Sequence, residues 1–163
     1  MTSGDTLVTF TALHNEPPAA SAATLDTRNQ HVLVDFDATN NEYAVFSDTM
    51  PRNYAAGGVT VYAHVAFSSA TSGSACLAIA WERIGEVQDM DADSFATAAC
   101  VQVGAPATAG QIIAASLSFA NGAAMDSIAV GEGFRLQVAR MPGDAWDTAT
   151  GDGELRFLEL KES

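Results

Sequence analysis

Basic residues are scarce in this chain: seven Lys and Arg stand against twenty Asp and Glu, for a formal net charge of −13. Such a surface repels phosphate backbones and anionic bilayers, so neither direct nucleic-acid binding nor a membrane surface is expected. Cysteine is nearly absent too. Cys76 and Cys100 are too few for a disulfide framework. They read as small buried apolar side chains, with pairing left open if their strands are neighbours. No apolar run reaches the length that spans a bilayer. Residues 1–5 lack the basic segment followed by an apolar one that marks a secretory signal, so the expected place of synthesis and assembly is the cytoplasm. Catalytic signatures are missing as well. There is no Gly-x-Ser-x-Gly elbow, no glycine-rich phosphate loop, and no basic neighbour to make either cysteine a thiolate. His14, His31 and His64 fall in no metal-ligand spacing. The residues point to a protein that is not an enzyme and carries no cofactor.

What the chain does have is alternation. It is 163 residues long and 48% hydrophobic, enough for one domain with a substantial core, read as spanning 1–163. From Val59 to Phe67, the residues Val59, Val61, Ala63, Val65 and Phe67 point one way, and Thr60, Tyr62, His64 and Ala66 the other. That is the period of a half-buried strand, not of a helix. The same pattern recurs over residues 6–13, 31–36, 77–81, 113–119 and 134–138, with shorter candidates at 43–47 and 100–104. Trp81 alternates with Leu77 and Ile79, which places it in the core.

The last strand, 155–160, changes phase: Leu155 and Phe157 share one face, Leu158 and Leu160 the other. A bulge or burial on both sides accounts for that. Gly57-Gly58, Asn40-Asn41 and Asn121-Gly122 supply turns between these segments. The spacing predicts an all-β, jelly-roll-like antiparallel β-sandwich of about eight strands. Residues 91–99 are expected to form one or two helical turns capped by Asp91 or Asp93. Residues 14–30 are expected as an extended loop or arm, and 1–5 as a flexible segment.

Few residues invite a site. Asp89, Asp91 and Asp93 begin like a calcium loop, but Ser94 stands where glycine belongs and Cys100 where the bidentate glutamate belongs. An exposed turn is the favoured reading there. Asp144, Asp147 and Asp152 with Glu154 form a second oxygen-rich group in a polar loop, where solvated turn chemistry is the simpler account. Trp146 sits in that loop, an unusual place for a large apolar side chain. Trp146, Asp144, Asp147 and Asp152 are therefore the candidate partner-contact residues.

Three stretches carry a resemblance. They are Thr9-Phe10-Thr11-Ala12-Leu13-His14-Asn15-Glu16-Pro17-Pro18 with Ala23 to Asn29, Phe46-Ser47-Asp48-Thr49-Met50-Pro51-Arg52-Asn53-Tyr54, and the closing segment with Arg140, Asp147-Thr148, Thr150-Gly151-Asp152 and residues 155–160. Together they resemble small jelly-roll structural proteins of tailed bacteriophages, the head-decoration (cement) or fibre class. That resemblance implies a virion location. It implies a capsid decoration protein that binds the major capsid protein and itself, as a homotrimer, on the outer surface of the head. The alternative is a tail, baseplate or fibre module that binds host glycans or an adjacent virion protein.

Overall fold

Each alternating segment becomes a strand in the computed structural model, which describes residues 4–163. Ten strands follow in order: β1 (Thr6–Thr11), β2 (Thr24–Arg28), β3 (His31–Phe36), β4 (Glu42–Thr49), β5 (Val59–Phe67), β6 (Ser74–Ile84), β7 (Ala99–Gly104), β8 (Ile113–Phe119), β9 (Gly133–Arg140) and β10 (Gly153–Glu162). Single 3-10 turns at Ala12–His14 and Ala123–Met125 are the helical content of the described residues. The strands form two antiparallel sheets, one of six strands and one of four. The six-stranded sheet runs β2-β3-β10-β5-β8, and β1 continues along the β10 edge beyond β3; the other sheet runs β4-β9-β6-β7. This is the jelly-roll β-sandwich that the alternation predicts, with two strands more than the expected eight.

Apolar side chains meet between the layers. Val61, Val65 and Leu160 from the first sheet face Ile79, Leu136 and Val138 from the second, all buried. A run of aromatic rings crosses the gap: Phe46 and Phe134 lie 5.4 and 6.4 Å from Phe10, and Trp81 lies 5.3 Å from Phe134 and 5.8 Å from Phe119. These offset and edge-on contacts tie β1 and β8 of one layer to β4, β6 and β9 of the other. The phase change in β10 is a bulge: its register against β5 shifts between Leu155 and Phe157. The extra residue lets Leu155, Leu158 and Leu160 all bury, and it turns Phe157 outward.

Two expectations need revision. Residues 91–99 form no helix. Their chain runs extended beside β6, where the amide of Ala96 donates to the carbonyl of Trp81. Beyond Ile79, β6 has no β7 partner, so this bond satisfies a backbone group that a helix would leave open. Within 14–30, the sequence hides a strand. β2 carries one apolar residue, Leu25, and so shows no alternation. It is held by a two-residue hairpin turn to β3, with Asn29 at φ 45° and Gln30 at φ 67°, the backbone of a type I′ turn. The preceding residues run along the free edge of β4, where Glu16 N donates to Val45 O and Ala23 N to Tyr43 O. Of the segment 1–5, residues 1–3 lie outside the described residues; Gly4 donates its amide to Glu162 O.

Cys76 and Cys100 pair. Their strands are neighbours in the four-stranded sheet, their Cα atoms are 6.0 Å apart, and they form a disulfide. The simpler reading of two buried thiols is therefore replaced by a staple across the β6–β7 pair, on the outward side of that sheet.

Candidate functional site

The two outer faces of the sandwich differ. On the four-stranded sheet, Val45, Ala80, Ala139 and Glu82 point away from the core, yet all are buried. Two segments lie against this sheet. Residues 15–16 bond to β4, with Val45 N donating to Asn15 Oδ1 and Ser47 Oγ to Glu16. Phe95 packs 5.0 Å from the guanidinium of Arg135, which itself pairs with Glu82.

The six-stranded sheet keeps its outer face open. Thr60, Tyr62 and His64 from β5, Ala114, Ser116 and Ser118 from β8, and Arg156, Phe157, Glu159 and Lys161 from β10 are half-buried or exposed. The rings form a short row. His64 stands edge-on to Phe157 at 6.1 Å, Arg156 lies 4.3 Å over the Phe157 ring, and Lys161 lies 5.6 Å from the Tyr62 ring.

One end of this face is concave. A cavity of about 370 Å³ lies between Arg28, His31, Leu33, Ile112, Arg156 and Phe157, with Glu154 and Ala66 in its floor. Arg28 reaches both oxygens of Glu154, at 3.1 and 3.0 Å, and the carbonyl of Ser68 at 3.2 Å. Gly110 at φ +83° lets the loop before β8 close on that guanidinium; a Cβ there would stand 2.7 Å from it. Leu33, Ala66, Phe157 and Ile112 make the walls apolar, and the charged groups converge at the rim. That pattern, an apolar concavity with a few fixed polar groups, is the usual make-up of a small-ligand site.

Asp35 is the neighbour of Glu154 across the β3–β10 pair. Burial first, then the charges of Asp152, Glu154, Asp26 and Glu42, push its carboxyl up from 3.8 to about 6. Because the folded value lies above the unfolded one, the stability from this group is full below pH 4 and is lost as pH rises through 6. Asp37 and Glu132 behave oppositely. Hydrogen bonds from Thr39 hold Asp37 at about 2, and Arg83 holds Glu132 at about 2. Their contributions are present above pH 4 and fade on acidification, so stability should peak between pH 4 and 6. Asp35→Asn is expected to raise the unfolding free energy from urea denaturation at pH 7.5 by about 1 kcal/mol after allowing for the group's partial exposure, and to leave it unchanged at pH 4. An equal effect at both pH values would show that the cost does not come from the charge of Asp35.

The structure scatters the acids singled out in the sequence. Asp147 is taken out of the surface: its side chain is 1% exposed and pairs at 2.8 Å with Arg140, itself fully buried. It is a structural anchor, not a partner contact. Asp152 Oδ1 accepts from Ala38 N, and Asp144 Oδ1 accepts from Trp146 N, so these three carboxylates do not converge. Asp89 caps the amide of Asp91, and Asp93 takes a hydrogen bond from Gln88. Among the described residues no group of three or more His, Cys, Asp or Glu side chains is placed to hold a metal ion. Trp146 is 58% exposed. Its loop is pinned beneath it by Arg140, and its carbonyl accepts from Ser74 Oγ at 2.7 Å. Among the described residues no helix is long and apolar enough to cross a membrane.

Comparison with known proteins yields no matching family model and no matching curated protein. Solved structures do align. The CBM36 carbohydrate-binding module in complex with calcium and xylotriose superposes with a TM-score of 0.57 at 15% identity, over 94% of this chain and 99% of that one. The xylan-binding module CBM15 gives 0.52 at 11% identity, over 96% of this chain and 97% of that one. A structure of infectious bursal disease virus, Gx strain, aligns at 0.42 and 13% identity, over 99% of this chain and 34% of that one, too loosely to argue from. At these identities the likeness establishes the jelly-roll fold. It does not single out tailed phages.

Proposed function

We propose that this chain is a non-catalytic recognition module, and that it binds saccharide through the open outer face of the six-stranded sheet. One observation carries the reading: the outer face of the six-stranded sheet joins an apolar concavity to a row of rings and fixed charges. Sugar rings present an apolar C–H face and a polar edge, which suits a surface that offers Phe157, His64 and Tyr62 beside hydroxyls and carboxylates. The setting comes from the sequence resemblance to tailed-phage virion proteins, in the fibre or tail class. The disulfide supports a working place outside the cytoplasm, since such bonds persist in oxidising surroundings.

The test is a glycan array probed with the wild-type chain, Tyr62→Ala/His64→Ala and Trp146→Ala. Binding is expected for the wild type and for the Trp146 variant, and loss for the face variant. Loss in the Trp146 variant alone would move the site to the 141–152 loop. No binding on any saccharide would end the reading.

A second reading has its own observation. Val87 is fully exposed at φ 59° and Met90 is 80% exposed, both in the turn after β6. A β-branched residue held at positive φ with its side chain in water is costly, and burial against a protein neighbour would offset the exposure. This favours the capsid-decoration role, with the major capsid protein as partner and a homotrimer as the assembled form. Co-sedimentation with expanded, DNA-free capsids, lost in Val87→Ser/Met90→Ser, would support it; a chain that stays in the supernatant would count against it.

A further inference from the structure

The charge on the rim of the sheet-face cavity is the reverse of the charge on the rest of the chain. With twenty acids and seven basic residues overall, an average rim would be acidic. This one carries Arg28, Arg156 and His31 against the single carboxylate Glu154. Arg28 satisfies Glu154. Arg156 does not share in that pair. Ion pairs among the described residues engage Arg28, Arg83, Arg135 and Arg140, and none engages Arg156. Its guanidinium carbon instead lies 4.3 Å over the Phe157 ring. A guanidinium held over a ring keeps N–H groups free to donate, and the arginine fork can take a planar carboxylate through two parallel hydrogen bonds.

Resting on the saccharide reading above, we propose that the ligand is an acidic sugar, and that Arg156 receives its carboxylate at the cavity rim while Leu33, Ile112 and Phe157 take the apolar side of the ring. Two kinds of sugar carry this chemistry, sialic acids and hexuronic acids, and both present a carboxylate on a pyranose. A chain of net charge −13 repels anions at long range, so a site for one needs a local cation not already neutralised. Arg156 supplies it.

The experiment is a calorimetric titration of the whole chain with two matched pairs of probes: 3′-sialyllactose against lactose, and a glucuronic-acid-substituted xylobiose against xylobiose. The wild type is expected to bind at least one acidic member about tenfold or more tighter than its neutral match, the worth of one hydrogen bond to a charged group. Which acidic probe binds identifies the sugar. Arg156→Gln should reduce the preference to within about twofold while leaving the thermal midpoint unchanged. Arg52→Gln, an exposed cation elsewhere that changes the net charge equally, should preserve it. Equal affinity for acidic and neutral members, or a preference that survives Arg156→Gln, overturns the proposal and leaves the saccharide reading standing. Absence of binding to all four probes up to millimolar concentration, together with a blank array, removes both.

Discussion

Arg140→Met is expected to destabilise the fold by about 3–5 kcal/mol, the cost of stripping one partner from a buried ion pair. For a chain of this length that lowers the thermal midpoint by roughly 10–15 °C. The size follows from how much one guanidinium holds. Nε and Nη2 donate to Asp147 at 3.0 and 2.8 Å, Nη1 donates to the Gly151 carbonyl at 2.6 Å, and Nη2 donates to the Ala149 carbonyl at 2.7 Å. Asp147 in turn accepts from the amide of Cys76 at 3.1 Å. Methionine matches the length of the side chain but offers no donor. It leaves the buried Asp147 charge with the Cys76 amide alone, and the Ala149 and Gly151 carbonyls without their arginine donors. Asp147→Asn, which keeps an acceptor for Cys76 and removes the charge, should cost less. Urea denaturation of both single variants and the double gives the coupling energy, expected to exceed 1 kcal/mol in favour of the pair. Additive losses would mean that the two side chains act separately. The same anchor sets the course of residues 141–152, so Arg140→Met should also change the emission of Trp146 before global unfolding.

Trp81→Ala is expected to cost a similar amount, about 3–5 kcal/mol, because it empties the middle of the aromatic run. Trp81 is fully buried between Phe119 and Phe134. It also carries a liability: its indole N–H is buried with no hydrogen-bond partner. Trp81→Phe shrinks the ring but deletes that unpaired donor, so two effects oppose each other and the net cost should fall to about 1–2 kcal/mol. Trp146→Ala, at an exposed position, should fall within about 0.5 kcal/mol of the wild type. Urea midpoints for the three variants test the order Trp81→Ala, Trp81→Phe, Trp146→Ala. Equal costs for the two Trp81 variants would show that packing dominates and that the orphaned donor matters little.

How legible the fold was depends on the element. Where one face is buried, alternation reads directly, as in β5, whose Val59, Val61, Ala63, Val65 and Phe67 are all at most 1% exposed. The phase change in β10 announced its bulge. β2 was silent because its neighbours set it in place: Leu25 remains 53% exposed, and the turn at Asn29-Gln30 was the only local sign. Arg140 did leave a trace. It stands in phase with Phe134, Leu136 and Val138, so an inward arginine demanded a buried acid, and Asp147 is seven residues on.

The site is another matter. Thr60, Tyr62 and His64 could be assigned to one face of a strand, but alternation does not say whether a distant segment folds over that face. The cavity draws Arg28, His31, Ile112, Glu154 and Arg156 from separate strands and one loop, and no spacing along the chain links them. Attention fell on Trp146 and the acids near it because they are contiguous. Contiguity is what a turn needs, and three of those side chains are spent on holding the loop.

Recognition through the open sheet face is tested most directly by amide chemical-shift mapping of the whole chain, titrated with the tightest saccharide from the array. The expected result is a contiguous set of shifts over 60–66, 112–118 and 154–161, with 28–33 at the cavity end and little change at 43–47 or 76–82. Shifts confined to 85–92 or 141–150, with the six-stranded sheet unmoved, would contradict it.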